Sequence, residues 1–201
     1  FPHKVSGIIR DKYLANPAVV EVLKEAIGPN LKCMQSMLFM KNAGKPGQAW
    51  HQDEFYIPTR DRSLCGAWMA LDDATVIPGS HQPGVIWPQR PHQNPEFDFG
   101  QETYGYPFSE REAIPVEVKR GGIVFFNGYL LHRSLKNRAS SGFRRALVNH
   151  YMSAESMLPW NWDGRLGQSQ DMRDIVMVAG DDPYDYKGIS DETYPFLRPE
   201  K

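Results

Sequence analysis

Apolar residues recur at helical spacing over residues 16–27, where Val19, Val20, Leu23 and Ile27 fall on one face. Asn16 is placed to cap that helix, Pro17 to occupy its first position, and Gly28-Pro29-Asn30 to stop it. From residue 31 to about residue 152 the pattern changes to short apolar or alternating runs broken by turns. Residues 31–40 alternate and read as a strand, and residues 42–47 (Asn-Ala-Gly-Lys-Pro-Gly) carry turn chemistry. Residues 64–71 form a short apolar run around Trp68, and residues 76–80 end a strand in a turn. Residues 114–118 and 123–126 read as two strands joined by a tight turn at 119–122. Residues 144–152 predict another strand, after a polar loop at 137–142. Residues 88–111, rich in Pro, Gln, aromatics and charge, read as a long excursion rather than a strand. The tail from residue 159 to 201 offers one short helix at about 168–178. Many short strands between turns predict an all-β sandwich or barrel-like core with a helix packed outside.

Length and composition narrow this picture. At 201 residues the chain fits a single domain, with a core over about 31–152 and a C-terminal extension over 159–201. It is long enough to bury a core without disulfides or a structural metal. The charges nearly cancel, 23 basic against 24 acidic. That balance speaks against nucleic acid or an anionic membrane as partner, since both favour a basic excess. No apolar run reaches the roughly 20 residues a membrane helix needs. Two cysteines, Cys33 and Cys65, exclude a disulfide scaffold and a cysteine-based zinc site. The chain begins at Phe1, as a processed or truncated chain would, and a lost leader stays open. The expected compartment is the cytoplasm.

The chemistry resides in the six histidines. In His51-Gln52-Asp53, residues two apart on a strand share a face, which sets an imidazole beside a carboxylate. The same pattern also occurs on solvated surfaces. His132 follows the apolar run 122–131, where a lone histidine also reads as a satisfied core residue. Its sequel changes the balance: Ser134, Asn137 and then Phe143-Arg144-Arg145. An arginine at a buried strand start is costly unless it meets an anion, and its fork suits a carboxylate. Two histidines and one carboxylate with open positions make the facial triad of non-haem Fe(II) oxygenases. His81 ends a Pro-Gly-Ser-His turn and reads as ordering that loop. His150 reads as core, and His3 and His92 as surface residues.

At these residues the chain resembles the phytanoyl-CoA dioxygenase family of Fe(II)- and 2-oxoglutarate-dependent oxygenases. The resemblance covers roughly residues 31–152. It is carried by Gln35-Ser36-Met37-Leu38-Phe39, Trp50-His51-Gln52-Asp53, Gly66-Ala67-Trp68-Met69-Ala70-Leu71-Asp72-Asp73, Val76-Ile77-Pro78-Gly79-Ser80-His81, His132-Arg133-Ser134 with Asn137, and Phe143-Arg144-Arg145. It implies a double-stranded β-helix (a jelly-roll, cupin-like core) with flanking helices. It implies His51, Asp53 and His132 as iron ligands. Arg144 would meet the distal carboxylate of 2-oxoglutarate, with Arg145 the competing choice, and Ser134 would share that carboxylate. Gln35 and Trp68 match positions lining the co-substrate side. The implied reaction uses Fe(II), 2-oxoglutarate and O2 to hydroxylate an unactivated C–H, releasing succinate and CO2. Because Asp53 is retained, hydroxylation, desaturation or ring formation is favoured over halogenation.

The chain departs from the family at Asp73-Ala74-Thr75, which runs directly into Val76-Ile77-Pro78 where relatives carry further residues with an Asn-Gly turn. Either a hairpin beside the metal is shortened or residues are absent between Thr75 and Val76. No basic cluster suited to a CoA phosphate group is evident, so the expected substrate is a compact small-molecule metabolite, met by residues 88–111, the tail, Phe55 and Tyr56. Two other readings stay open: a non-catalytic β-helix binding protein, and a cupin-like metal enzyme that does not use 2-oxoglutarate. The sequence leaves the oligomeric state undetermined.

Overall fold

Asn16 caps its helix as expected: its side chain accepts the Ala18 N–H at 3.0 Å, and Pro17 opens the first turn. The computed structural model of the chain describes residues 1–59, 61–70, 74–98, 100–157 and 173–189. Its longer helical elements are α1 (Gly7–Ile9), continued by a π-turn at Arg10–Leu14, then α2 (Pro17–Ala26) and α3 (Asp53–Tyr56). The strands are β1 (Leu31–Asn42), β2 (Gly47–His51), β3 (Cys65–Ala70), β4 (Ala74–Val76), β5 (Gln89–Pro91), β6 (Phe97–Asp98), β7 (Gln101–Thr103), β8 (Ile114–Val116), β9 (Ile123–Asn127), β10 (His132–Ser134), β11 (Phe143–Ser153) and β12 (Val176–Ala179). Hydrogen bonding orders them as β12-β1-β11-β3-β9 in one sheet, β6-β2-β10-β4-β8 in a second, and β5-β7 as a ribbon. The chain divides into two compact units.

The first unit holds residues 1–38, 58–65 and 148–201. Its core includes Leu14, Val19, Val20, Leu23, Leu31 and Tyr151, all buried. The Tyr151 hydroxyl donates to Leu14 O at 2.9 Å, so the largest buried ring also has its polar tip satisfied. Lys32 is buried as well, and its ammonium donates to Ala154 O at 3.3 Å and to Ser156 O. β12 pairs antiparallel with the start of β1, Lys32 opposite Met177 and Cys33 opposite Val176.

The second unit holds residues 39–57 and 66–147. β10 lies between β2 and β4, with His132 opposite both His51 and Val76. The pairing then shifts, and Ser134 stands opposite Gln48, so Ala49 and Trp50 of β2 match the single Arg133 of β10 in a bulge. Side chains alternate, so Trp50 and Arg133 lie on the sheet face opposite His51 and His132. There Trp50, Ile77, Trp87 and Leu131 form a buried cluster joined by Tyr106 and Phe108. The Arg133 guanidinium lies 4.4 Å from the Trp50 ring centroid and pairs with Glu110 at 3.1 Å. The strands that carry the histidines are thus braced from behind.

Four expectations are corrected. The expected helix at 168–178 is not formed over its described part: residues 176–179 are β12, because Val176 and Val178 are β-branched and β1 offers an edge. The segment 88–111 is not strandless. It contains β5, β6 and β7, and β6 extends the second sheet parallel to β2. The strands at 114–118 and 123–126 do form and are joined by a turn (Gly122 N–H to Lys119 O, 2.8 Å), but they do not pair. β8 bonds to β4, and β9 ends the other sheet. His3 is buried, not on the surface. A 3-10 turn at Pro2–Lys4 places it against Ser36, whose hydroxyl lies 2.6 Å from its Nδ1. β4 runs unbroken through Thr75 and Val76, while residues 71–73 lie outside the described residues.

Candidate metal centre

β2 ends on His51, and Gln52 carries the chain in extended conformation into α3, which opens on Asp53. His51 and Asp53 thus meet across a strand end and a helix start rather than along one strand. His132 faces them from the neighbouring strand, in register with His51. His51 Nε2 and His132 Nε2 lie 3.7 and 3.6 Å from Asp53 Oδ1. These separations are long for a direct hydrogen bond. One ligand atom from each of the three residues lies within 4.8 Å of the others, the one such cluster among the described residues. His51 and Asp53 are buried and His132 is half-buried.

The imidazoles are oriented by their own backbone. His51 Nδ1 bonds Ala49 O at 2.8 Å, and His132 Nδ1 bonds Leu130 O at 2.9 Å. A carbonyl can only accept, so each Nδ1 carries a proton, which leaves Nε2, the nitrogen on the Asp53 side, as the atom available to a metal. A second bond to the non-ligating nitrogen is the usual means of fixing a metal-binding histidine.

Gln52 holds this arrangement together, and sequence reasoning passed over it as a spacer. Its fully buried amide donates to Tyr129 O at 2.7 Å and Val85 O at 2.9 Å, and its oxygen accepts the Trp87 N–H at 2.9 Å. Glu54 N–H adds a bond to Gly128 O at 3.0 Å. The His51–Asp53 turn is thereby fastened to the segment that leads into His132. The available signal was position: the residue between two same-face ligands must point the other way, and a polar residue there needs partners.

Other expected residues find varied places. Ser80 rather than His81 orders the Pro-Gly-Ser-His turn: the buried Ser80 hydroxyl accepts the Leu131 N–H at 2.9 Å, while the His81 side chain is exposed. Ser134 accepts the Gln48 N–H at 3.0 Å, which leaves its own proton to donate. Arg144 is half-buried, not buried as expected, because it lies near the solvent-exposed start of β11. Its Nη1 donates to Leu135 O, the residue after Ser134, so fork and hydroxyl sit at one strand end. Arg145 alternates outward and stacks on Phe143, its guanidinium 5.6 Å from the ring centroid. Asn137 is a loop fastener, its amide donating to Lys41 O at 2.9 Å. Trp68 is half-buried on β3, on the same strand face as Gly66. Gln35 is buried on β1 within the first unit and is not part of the second-unit cluster.

Two aromatic rings, Phe126 and Tyr56, adjoin the histidines. Phe126 lies 4.7 Å from His132, His132 4.0 Å from His51, and His51 6.4 Å from Tyr56, between ring centroids. Phe55 is 5.2 Å from Tyr56. Gln89 Nε2 donates to the Tyr56 hydroxyl at 2.8 Å, and burial raises that hydroxyl above its ordinary pKa, so it stays protonated. Cys33 takes no part in such chemistry: burial pushes its thiol up to about 12.

A model of the phytanoyl-CoA dioxygenase family matches residues 2–146. Phytanoyl-CoA dioxygenase 1 of Oryza sativa subsp. japonica is 36% identical over 131 residues, covering 61% of this chain and 45% of that protein. The peroxisomal phytanoyl-CoA dioxygenase of Rattus norvegicus is 30% identical over 161 residues, covering 72% and 46%. The chain spans about half the length of these curated relatives. Among solved structures, the non-heme monooxygenase ThoJ matches with a TM-score of 0.68 at 21% identity, over 86% of this chain and 62% of that one. The epimerase SnoN, solved with Fe3+, alpha ketoglutarate and nogalamycin RO, matches with a TM-score of 0.62 at 18% identity, over 85% and 71%. At these identities the likeness shows the fold, the cupin-like double-stranded β-helix that the sequence led us to expect.

Proposed function

The chain belongs to the phytanoyl-CoA dioxygenase family, and from that premise we propose that it is an Fe(II)- and 2-oxoglutarate-dependent oxygenase acting on a small molecule. The observation that carries the reading is the triad. His51, Asp53 and His132 converge, and both Nδ1 atoms are engaged by backbone carbonyls. Two neutral imidazoles and one carboxylate suit a divalent iron and leave positions for other ligands. The donor set therefore fits the metal. Bound Fe(II) with 2-oxoglutarate and O2 would supply the oxidising chemistry, releasing succinate and CO2 as a substrate C–H is hydroxylated.

The chain's own residues supply placement. Arg144 would pair with the distal carboxylate of 2-oxoglutarate, and Ser134 would donate its proton to the same group. Trp68 would line the co-substrate side. Gln52 keeps the two halves of the triad in register, and Phe126 packs beside His132. Tyr56, whose hydroxyl keeps its proton, and Phe55 offer a substrate one polar contact and an apolar face, which suits a compact metabolite with an oxygen function. The two buried cysteines support a reducing compartment such as the cytoplasm.

Anaerobic titration of the Fe(II)-loaded protein with 2-oxoglutarate tests the reading, through the visible charge-transfer band that chelation produces. The parent is expected to give the band and, under air, to release succinate. Arg144→Ala is expected to raise the 2-oxoglutarate requirement about 30-fold, the effect of losing about 2 kcal/mol when one partner of a charge pair is truncated. Unchanged affinity would remove Arg144 from the site. A parent that binds metal but gives no band would favour the cupin-like enzyme that does not use 2-oxoglutarate.

A further inference from the structure

Gly66 lies inside β3 with no left-handed backbone to require glycine. A strand-interior glycine of this kind marks a place where something must come close. Here it is Phe126 of β9. A Cβ built on residue 66 would stand 2.8 Å from both Cε atoms of the Phe126 ring, and closer still to Cζ. The ring tip thus occupies the space a side chain at 66 would fill. The same ring lies against His132, 4.7 Å between centroids and tilted by 53°.

His132 is the more exposed of the two histidines, its side chain 16% accessible against 8% for His51. Its bond to Leu130 O fixes one edge of the ring but leaves its faces to packing. His51 lies on one side at 4.0 Å, and Phe126 is the second aromatic neighbour. We propose that Gly66 is a notch that admits Phe126, and that Phe126 is a positioning residue that holds the His132 imidazole in its ligating orientation. This rests on reading the triad as a metal centre. A methyl group at 66 would push the ring toward His132, and a missing ring would let His132 tilt. Both changes would misdirect Nε2 without touching a ligand.

The test is equilibrium binding of Co(II) to the metal-free full chain, followed by its visible d–d bands. Phe126→Ala and Gly66→Ala are each expected to weaken binding about tenfold or more, the usual scale for residues that orient a ligand. Both are also expected to alter the band shape. The double variant Gly66→Ala/Phe126→Ala is expected to bind no more weakly than Phe126→Ala alone, because the added methyl then meets no ring. Thermal unfolding of each metal-free variant shows whether it is folded. If Phe126→Ala is not, Phe126→Leu replaces it, alone and with Gly66→Ala, under the same criterion. Additive losses, or single variants with parental affinity and spectrum, would overturn the proposal. A parent that binds no Co(II) would overturn the metal-centre reading itself, and is thereby told apart from failure of the notch.

Discussion

Gln52 shows how much a single side chain contributes when every bond it makes is buried or nearly so. Its amide spends two donors and one acceptor on Tyr129 O, Val85 O and Trp87 N. Gln52→Leu keeps the volume and removes all three. Tyr129 O and Trp87 N would then each lose this buried partner, at about 1–3 kcal/mol apiece. We expect the metal-free protein to lose about 2–4 kcal/mol in urea unfolding, with Gln52→Glu at least as damaging because a carboxylate would face two carbonyls. A parental midpoint for Gln52→Leu would show that these segments are fastened by other means. At this scale the sequence disclosed residues whose role is written in their chemistry: His51, Asp53, His132. It did not disclose Gln52, whose partners Val85, Trp87 and Tyr129 are remote in the chain, or Gly66 and Phe126, which meet across two strands.

Between elements, the decisive contact is backbone against backbone. A Cβ on Gly47 would stand 2.6 Å from the Leu135 carbonyl carbon and 2.8 Å from that of Ser134. Main chain cannot yield as a flexible side chain can, so Gly47→Ala should part β2 from β10 at the end away from His51. Overpacking of this kind costs about 1–3 kcal/mol. The loss should fall on 2-oxoglutarate affinity, through Ser134 and Arg144, more than on metal affinity. Paired titrations with 2-oxoglutarate and Co(II) check this, and equal losses would refute it. Elements with strong local signals were legible: α2 from its cap and apolar face, β1 from its alternation, and β11 as the run that follows a polar loop. Partner choice was not. The turn at residues 119–122 is real, yet β8 pairs with β4, because strand pairing is decided by the sheet as a whole and not by the turn between neighbours.

For the whole molecule, the near-neutral net charge conceals groups whose ionisation is coupled to folding. His3 is held near a pKa of about 4, chiefly by burial, against an ordinary value of 6.5. Its folded value lies below its unfolded one, so between pH 6.5 and 4 the unfolded chain binds more protons and stability falls as the pH falls. The contribution is whole above pH 6.5. His3→Gln should flatten the stability profile across that window, and a profile as steep as the parent's would assign the acid sensitivity elsewhere. No helix among the described residues is long and apolar enough to cross a membrane. The candidate triad with Ser134, Trp68 and Arg144 falls within residues 39–57 and 66–147. Motif reading reached the residues that cluster in the second unit and little of the first. A metal centre of the proposed kind needs particular side chains, whereas much of the first unit's core needs only shape and apolarity.

One feature of the centre bears on how such a protein diversifies. The bonds that aim His51 and His132 and anchor Gln52 end on main-chain atoms: Ala49 O, Leu130 O, Tyr129 O, Val85 O and Trp87 N. Main-chain atoms are the same whatever residue bears them. Positions 49, 85, 87, 129 and 130 can therefore change identity while continuing to supply the same bond, provided the backbone keeps its course and position 87 keeps its N–H. Mutational sensitivity of the wiring is concentrated in His51, Gln52, Asp53 and His132, and the surrounding positions are open to vary around an unchanged triad geometry.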